Sequence, residues 1–539
     1  MHVPPLMPTP ASDIADTADT PDTRPGQTRG SARPLSRTAR VISLLAGSAT
    51  VFAFAPFGAW PIQLAALALL THLFLGCARA RDAFALGWLF GSGAILAGTH
   101  WLFISLHTFG GMPVVLSAIA VALLAASLAL LYGLALWLAS WASLRAQHKA
   151  FAAIAILPSC WMLADWTRGW IFTGFSWVAT GYAHTTSPLA GFAPLIGVYG
   201  VGWLAVTAAG CLGLMLHQRR LSLLAIALLA TLMLSGAALS QVQWTQKLGN
   251  PIQARLLQGN VPQQMKFDEA NINASLALYR EMITETAADL IATPETALPL
   301  LSTQLPEGYL EQLAHFAWDS NSTLVVGVPW TTAPGIYLNS VIGFSFGQST
   351  LYRYDKHHLV PFGEFIPPGA RWFVNLMNMP LGDFGRGALY QPPIDVRDQW
   401  VLPNICYEDL FGEEIAAQIA AALDRGSPVP SILLNVSNIA WFGDTIALPQ
   451  HLQISQMRTL ETGRPMLRAT NTGATAVINA RGEVTASLPA FTRGTLQAPV
   501  QGMQGETPYL RLGNTLPVGL ALLLLALPGL KRLGRSKNG

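Results

Sequence analysis

Apolar residues run in long blocks between positions 41 and 239, cut by short polar breaks. From 240 to 513 the apolar runs shrink to a few residues each, and one further long block follows at 514–530. A helix needs about 20 apolar residues to cross a bilayer. The pattern predicts about eight such segments, at 41–54, 62–77, 83–106, 114–144, 150–166, 189–216, 221–239 and 514–530. The first two are short and meet at a turn containing Pro56, Gly58 and Pro61; the fifth is short as well.

The 240–513 stretch has a different period. Short β-branched and aliphatic runs predict strands at 252–257, 290–293, 323–328, 400–405 and 431–436, with closing strands at 466–470 and 475–478. A hairpin is expected from 338–346 and 350–354, turning near Gly347. Helices are expected at about 268–287, 306–319, 408–423 and 449–462. Strands that alternate with helices imply a layered α/β domain. The sequence thus divides into a tail (1–40), seven spans (41–239), an α/β domain (240–513), an eighth span (514–531) and a short tail (532–539). The first tail, rich in Pro, Thr, Asp and Ala, reads as disordered and contains no short apolar core with a cleavage site.

Composition sharpens this picture. Of the 539 residues 51% are hydrophobic and only 11% are charged, against about a quarter charged in soluble domains. The chain therefore reads as a membrane protein with the bilayer as a partner. A net charge of +3 gives no basis for nucleic-acid binding. Its cations cluster in alternate loops: Arg37 and Arg40, then Arg79 and Arg81, Arg145 and Lys149, Arg219 and Arg220, and finally Lys531 and Arg532. With eight spans all these loops fall on one side, the cytoplasmic side by the positive-inside rule. The α/β domain then lies outside. The loop 165–187, carrying Trp166, Trp170, Phe172, Phe175, Trp177 and Tyr182, is expected on the outer membrane surface. Its aromatics serve either as interfacial anchors or as substrate contacts.

Four cysteines are present, and Cys77, Cys160 and Cys211 lie in or beside apolar segments. Cys406, in LPNICYEDL, is the one in the α/β domain, so it has no disulfide partner there. It stands on a tight turn between a strand and a helix, where free helical N–H groups favour a thiolate. Two other polar residues also follow strands: Glu295 in ATPETALP and Lys356 in YRYDKHHLVPFGEF. Loops at the carboxyl ends of strands converge on the active site in layered α/β domains. A carboxylate as general base, an ammonium for an oxyanion and a thiol as nucleophile compose an acyl-transfer site. The adjacent His357 and His358 have poor metal-ligating geometry on an extended segment. Arg458, Glu461, Arg464 and Arg468 read as structural ion pairs, and Asn471 as a residue that helps to shape the site.

Glu295, Lys356 and Cys406, in this order and in these surroundings, resemble the nitrilase superfamily, whose Glu–Lys–Cys set sits on an αββα sandwich. PETALP, KHHLVPFGE, CYE and RATNTG, with eight spans, narrow the resemblance to the apolipoprotein N-acyltransferase family over roughly residues 41–530. The resemblance implies that Glu295 is the base, Lys356 the oxyanion stabiliser and Cys406 the nucleophile. It implies supporting roles for Glu364, Tyr407 and Glu408. Phe267 stands where the family pattern has tryptophan, and Ile439 where it has aspartate. Phe267, Trp441 and Phe442 are candidate substrate contacts, as are Phe362, Phe365 and the apolar run 372–379.

The implied fold is a polytopic α-helical membrane domain plus an extracytoplasmic nitrilase-like sandwich. The implied reaction moves an acyl chain from a phospholipid, typically phosphatidylethanolamine, through a Cys406 thioester to the α-amine of a diacylated apolipoprotein. No cofactor and no metal is implied; a monomer in the bacterial inner membrane, with its catalytic domain on the periplasmic side, is expected. Two competing readings are a membrane-tethered hydrolase that uses water as acceptor and a non-enzymatic scaffold or transporter.

Overall fold

Short, fully buried apolar strands can be satisfied only in a sheet covered on both faces, and the α/β domain builds two such sheets. The computed structural model describes residues 35–146, 148–263, 269–348, 350–367, 369, 371 and 383–536. Its strands are β1 (Thr245–Lys247), β2 (Ile252–Gln258), β3 (Leu290–Ala292), β4 (Thr323–Ala333), β5 (Ile336–Phe344) and β6 (Tyr352–Asp355), then β7 (Ile394–Val396), β8 (Gln399–Ile405), β9 (Ile432–Ser437) and β10 (Met466–Thr470). They continue as β11 (Ala476–Ile478), β12 (Val484–Ser487), β13 (Gly494–Val500) and β14 (Met503–Gly505). One six-stranded sheet runs β13-β2-β3-β4-β5-β6 and the other β12-β11-β10-β9-β8-β7, while β1 and β14 form a separate ribbon. The centres of both sheets are parallel: β2 with β3 and β4, and β9 with β8 and β10.

The sheets face each other across one core in which Leu256, Ala292 and Val325 meet Leu402, Leu434 and Leu467. Helices Glu269–Thr284 and Tyr309–Asp319 cover the outer face of the first sheet through Leu276, Ile283 and Leu313. Helices Gly412–Arg425 and Ala447–Thr462 cover the second. This is the expected αββα sandwich. Strands β1, β7, β12, β13 and β14 were not legible in the sequence, being short or, in β13, interrupted by Pro499. That proline is tolerated because β13 is an edge strand.

The long apolar blocks are helical throughout. Among the described residues three helices, Val114–Ser143, Lys149–Arg168 and Pro188–Gln218, are long and apolar enough to cross a membrane. A fourth is reached if Ala80–Thr99 and Leu102–Phe109, bent by 63° at their junction, make one span. Trp60–Leu75, Leu223–Leu239 and Thr515–Leu527 are shorter apolar helices. Glycines bring backbones together here: a Cβ on Gly47 would lie 2.0 Å from the Phe90 carbonyl, and one on Gly87 would lie 2.3 Å from that of Tyr132. Such close approach lets helices pack backbone against backbone.

Asp165 is buried at the end of the fifth apolar segment and pairs with Arg168 at 3.3 Å. The loop that follows does not simply lie on a surface. Trp170 and Phe172 are exposed, but Trp177 and Tyr182 are buried against the α/β domain. One hydrophobic core runs from Trp161 and Tyr182 in the helical body to Leu410, Phe411 and Met457 on the sandwich. The two parts are therefore packed as one body.

Candidate active site

The site is assembled at the carboxyl ends of five strands. Glu295 lies just beyond β3, Lys356 follows β6, Cys406 follows β8, Asn438 follows β9 and Asn471 follows β10. Cys406 has φ +54°, in the left-handed region, a conformation that costs a non-glycine residue about 1 kcal/mol or more. Such a turn ends the strand abruptly. The helix expected at 408–423 begins instead at Gly412, after a tight turn over Cys406–Leu410.

Lys356 is the hub. Its ammonium is buried and donates to Glu295 Oε1 at 3.2 Å and to Glu364 Oε1 at 2.9 Å. Asn339 Nδ2 donates to the same two carboxylate oxygens, at 2.8 and 2.6 Å. The second oxygen of Glu295 accepts the Asn438 N–H at 2.9 Å, and that of Glu364 accepts the Val360 N–H at 2.8 Å. Burial alone works to lower the Lys356 pKa, but Glu295 and Glu364 outweigh it and hold the ammonium well above the ordinary lysine value.

The sulfur rests as a thiol, as a nucleophile with a carboxylate base requires, and the bias of the turn toward a thiolate is outweighed. Burial, then the charge of Glu295, pushes the Cys406 thiol up, and Lys356 only partly offsets them. Two carboxylates and one ammonium already leave the cluster with one net negative charge, so a thiolate would add a second in a poorly solvated place. Glu295 is the carboxylate that acts most strongly on the thiol. Transfer of its proton to Glu295 leaves the net charge of the cluster unchanged, which is the arrangement a general base requires.

Glu408 is a fastener. Its Oε1 accepts the His357 and His358 N–H groups at 2.7 and 3.2 Å, and its Oε2 accepts the Ile405 N–H at 2.6 Å and the Tyr354 hydroxyl at 3.0 Å. It thus ties the segment that carries Lys356 to the strand that delivers Cys406. Burial pushes its carboxyl up to about 7 against the lowering effect of those N–H donors and Lys356. The Tyr407 hydroxyl donates to the Gly174 carbonyl at 2.6 Å, in the aromatic loop of the helical body.

Trp441 and Phe442 sit on the turn Ile439–Phe442, which is packed rather than free. Phe442 meets the Trp101 ring with centroids 4.3 Å apart, and Trp441 meets Phe109 at 5.6 Å. Ile439 is buried in the same apolar core, where an aspartate would be left without solvent. Phe267 and the run 372–379 lie outside the described residues. His357 and His358 serve different partners: His357 Nδ1 contacts the Gly387 carbonyl, while His358 bridges Glu414 and the Thr173 carbonyl. Arg458 pairs with Glu461 and Arg468 with Asp409, as read; Arg464 is instead satisfied by the carbonyls of Pro430, Thr462 and Gly505.

Asn339, Asn438 and His451 escaped the sequence reading. Asn339 and Asn438 touch Glu295, and Asn471 Nδ2 in turn donates to Asn438 Oδ1 at 3.1 Å. A polar residue inside or at the end of an apolar strand was the available signal for both asparagines.

Two family descriptions cover most of the chain: residues 46–211 match "Apolipoprotein N-acyltransferase N-terminal domain" and 253–509 match "Carbon-nitrogen hydrolase". The apolipoprotein N-acyltransferase of Ralstonia nicotianae is 48% identical over 528 residues, which is 97% of this chain and 99% of that one. The chain belongs to the apolipoprotein N-acyltransferase family. The Nitrosomonas europaea relative is 45% identical, covering 90% of this chain and 96% of its own length, and that of Chromobacterium violaceum is 44% identical, covering 90% and 92%. This acyltransferase family acts in lipoprotein N-acylation, and that is the function of the chain.

Proposed function

We propose that the chain acylates the α-amine of diacylated apolipoproteins by a ping-pong route through a Cys406 thioester, with a phospholipid as donor. The buried Lys356–Glu295 pair, beside the strand end that delivers Cys406 and with Glu295 acting on the thiol, carries this reading. Glu295 takes the thiol proton as Sγ attacks the ester carbonyl. The oxyanion that forms lies against the Lys356 ammonium, a contact of the kind worth a few kcal/mol. The C–O bond then breaks, the proton returns from Glu295 to the departing lysophospholipid hydroxyl, and the acyl group stays on sulfur. In the second half the apolipoprotein amine attacks the thioester, Glu295 takes the amine proton, and Cys406 leaves and is reprotonated. Glu364 keeps Lys356 charged and in place throughout.

Phosphatidylethanolamine is the proposed donor, and the enzyme works as a monomer. The eight apolar segments cross the inner membrane, with the basic loops cytoplasmic and the α/β domain periplasmic. The alternation of charged and uncharged loops supports that orientation. Trp441 and Phe442 border the acyl chains in this arrangement.

Intact mass spectrometry of the detergent-solubilised enzyme with phosphatidylethanolamine tests the route. An acyl-sized adduct, labile to hydroxylamine, absent in Cys406→Ala and discharged by a diacylated lipopeptide, is expected. An adduct that decays equally fast without the amine would indicate a hydrolase. No adduct at all would remove the thioester.

A further inference from the structure

A buried polar chain with no part in the proton transfers above reaches the main chain of the nucleophile. Asp409 Oδ2 accepts from Arg468 Nη1 at 2.9 Å, and both contact the Ser455 hydroxyl. Arg468 Nη2 is 2.9 Å from His451 Nδ1, and His451 Nε2 is 3.2 Å from the Cys406 carbonyl oxygen. The His451 ring also stacks on Trp177 from the helical body, 5.6 Å away and inclined by 20°.

The tautomer of His451 follows from its neighbours. A guanidinium only donates, so Nδ1 must be the acceptor and the ring proton sits on Nε2. Nε2 therefore donates to the Cys406 carbonyl. Burial, reinforced by Arg468, keeps the imidazole neutral. The same carbonyl accepts Asn435 Nδ2 at 3.3 Å, and that side chain is fixed by Asn404 Oδ1 at 2.6 Å. Two donors thus hold one peptide carbonyl from behind.

The peptide between Cys406 and Tyr407 is trans, because Ala55-Pro56 carries the cis bond. Its N–H accordingly points opposite to its C=O. The Tyr407 N–H lies in the first turn after β8, where helical N–H groups have no partner within the turn. We propose that His451 is a positioning residue: held in its Nε2–H form by Arg468, it pulls the Cys406 carbonyl back and so aims the Tyr407 N–H at the oxyanion formed on the acyl carbonyl.

This inference rests on the acyl-transfer reading, and alkylation separates the two. Displacement of iodide from iodoacetamide by Cys406 Sγ forms no oxyanion, whereas acylation by a phospholipid does. The full-length enzyme in detergent is treated with iodoacetamide at pH 8.5, or with phosphatidylethanolamine, and the Cys406 adduct is timed by quenched-flow mass spectrometry. For His451→Leu the acylation rate should fall about 30–100-fold while alkylation stays within about twofold of wild type. His451→Gln, whose amide N–H reaches the place of Nε2, should recover acylation to within about fivefold. His451→Asn, one bond shorter, should not.

Equal losses of acylation and alkylation in all three variants would overturn the proposal in favour of a purely structural histidine. Unchanged acylation in His451→Leu would overturn it as well. Should His451→Leu fail to fold, the contrast between Gln and Asn still decides. A wild-type enzyme that is alkylated but never acylated at Cys406 would refute the thioester route rather than the placement of His451.

Discussion

At Cys406 the decisive quantity is where the proton rests. A thiol raised by burial and by Glu295 stays protonated through neutral pH. Its alkylation by iodoacetamide, with Cys406→Ala as blank, should climb about tenfold per pH unit from 6 to 9 without a plateau. A rate that is flat from pH 5 upward would mean a preformed thiolate. Glu408 gives a second prediction. Folded, it keeps its proton to about 7, while an unfolded glutamate loses it near 4.5. The folded state therefore binds more protons inside this window, and wild-type stability declines as pH rises through it. Glu408→Gln cannot titrate, so the stability gap between the two should be widest near pH 5. It should narrow toward pH 8 by up to about 3 kcal/mol in urea unfolding. A gap that is constant or grows with pH would contradict this.

At the scale of elements, the segment that follows Arg168 is the most strained in the helical body. Phe172, Thr173 and Gly174 have φ of +52°, +77° and +84° in succession. Arg168 holds it from within by donating to the carbonyls of Phe175 and Trp177 at 2.6 and 2.7 Å. A Cβ on Gly174 would lie 2.1 Å from the Gly169 carbonyl oxygen. Gly174→Ala should thus destabilise the enzyme by more than about 2 kcal/mol. Thr173→Gly should stabilise it by about 1 kcal/mol, since glycine accepts positive φ without cost. Denaturant midpoints of the two variants read this directly, and shifts of the same sign would count against the strain.

Much of this was visible beforehand and some was not. The periods of the apolar runs marked the central strands and the long helices, because those are set by which faces are buried. Glu295, Lys356 and Cys406 were legible because each follows an apolar run directly. Strand β13 escaped because it pairs with β2 from more than two hundred residues away, a tertiary fact without local trace. How strongly the thiol is held protonated is likewise a tertiary property. The local turn favours a thiolate, but burial, and then Glu295 arriving from another strand, outweigh it.

At the scale of the whole molecule, the sandwich and the helical body share one core through Tyr407, Leu410, Phe411, Leu448 and Met457. Residues 240–513 produced alone would expose that face and should aggregate, whereas the full chain in detergent should elute as a single species. A monomeric, folded 240–513 fragment in size-exclusion chromatography would show that the shared core is dispensable. The joint itself has an unusual chemistry. Tyr407 and His358 hold the carbonyls of Gly174 and Thr173, Ser176 donates to the Leu410 carbonyl, and Glu461 accepts the Val198 N–H where Gly197 breaks its helix. On the helical side, three of these four contacts use main chain rather than side chains. Mutational drift can therefore rewrite the identities of Thr173 and Val198 while the attachment persists, but it cannot rewrite Tyr407, His358 or Glu461. Saturation mutagenesis should find the joint uneven: permissive at Thr173 and Val198, whose main chain makes the contact, and intolerant at Tyr407, His358 and Glu461 and at Trp101 and Trp177, whose ring N–H groups both donate to Gln450, so that lineages diverge fastest where the backbone does the holding.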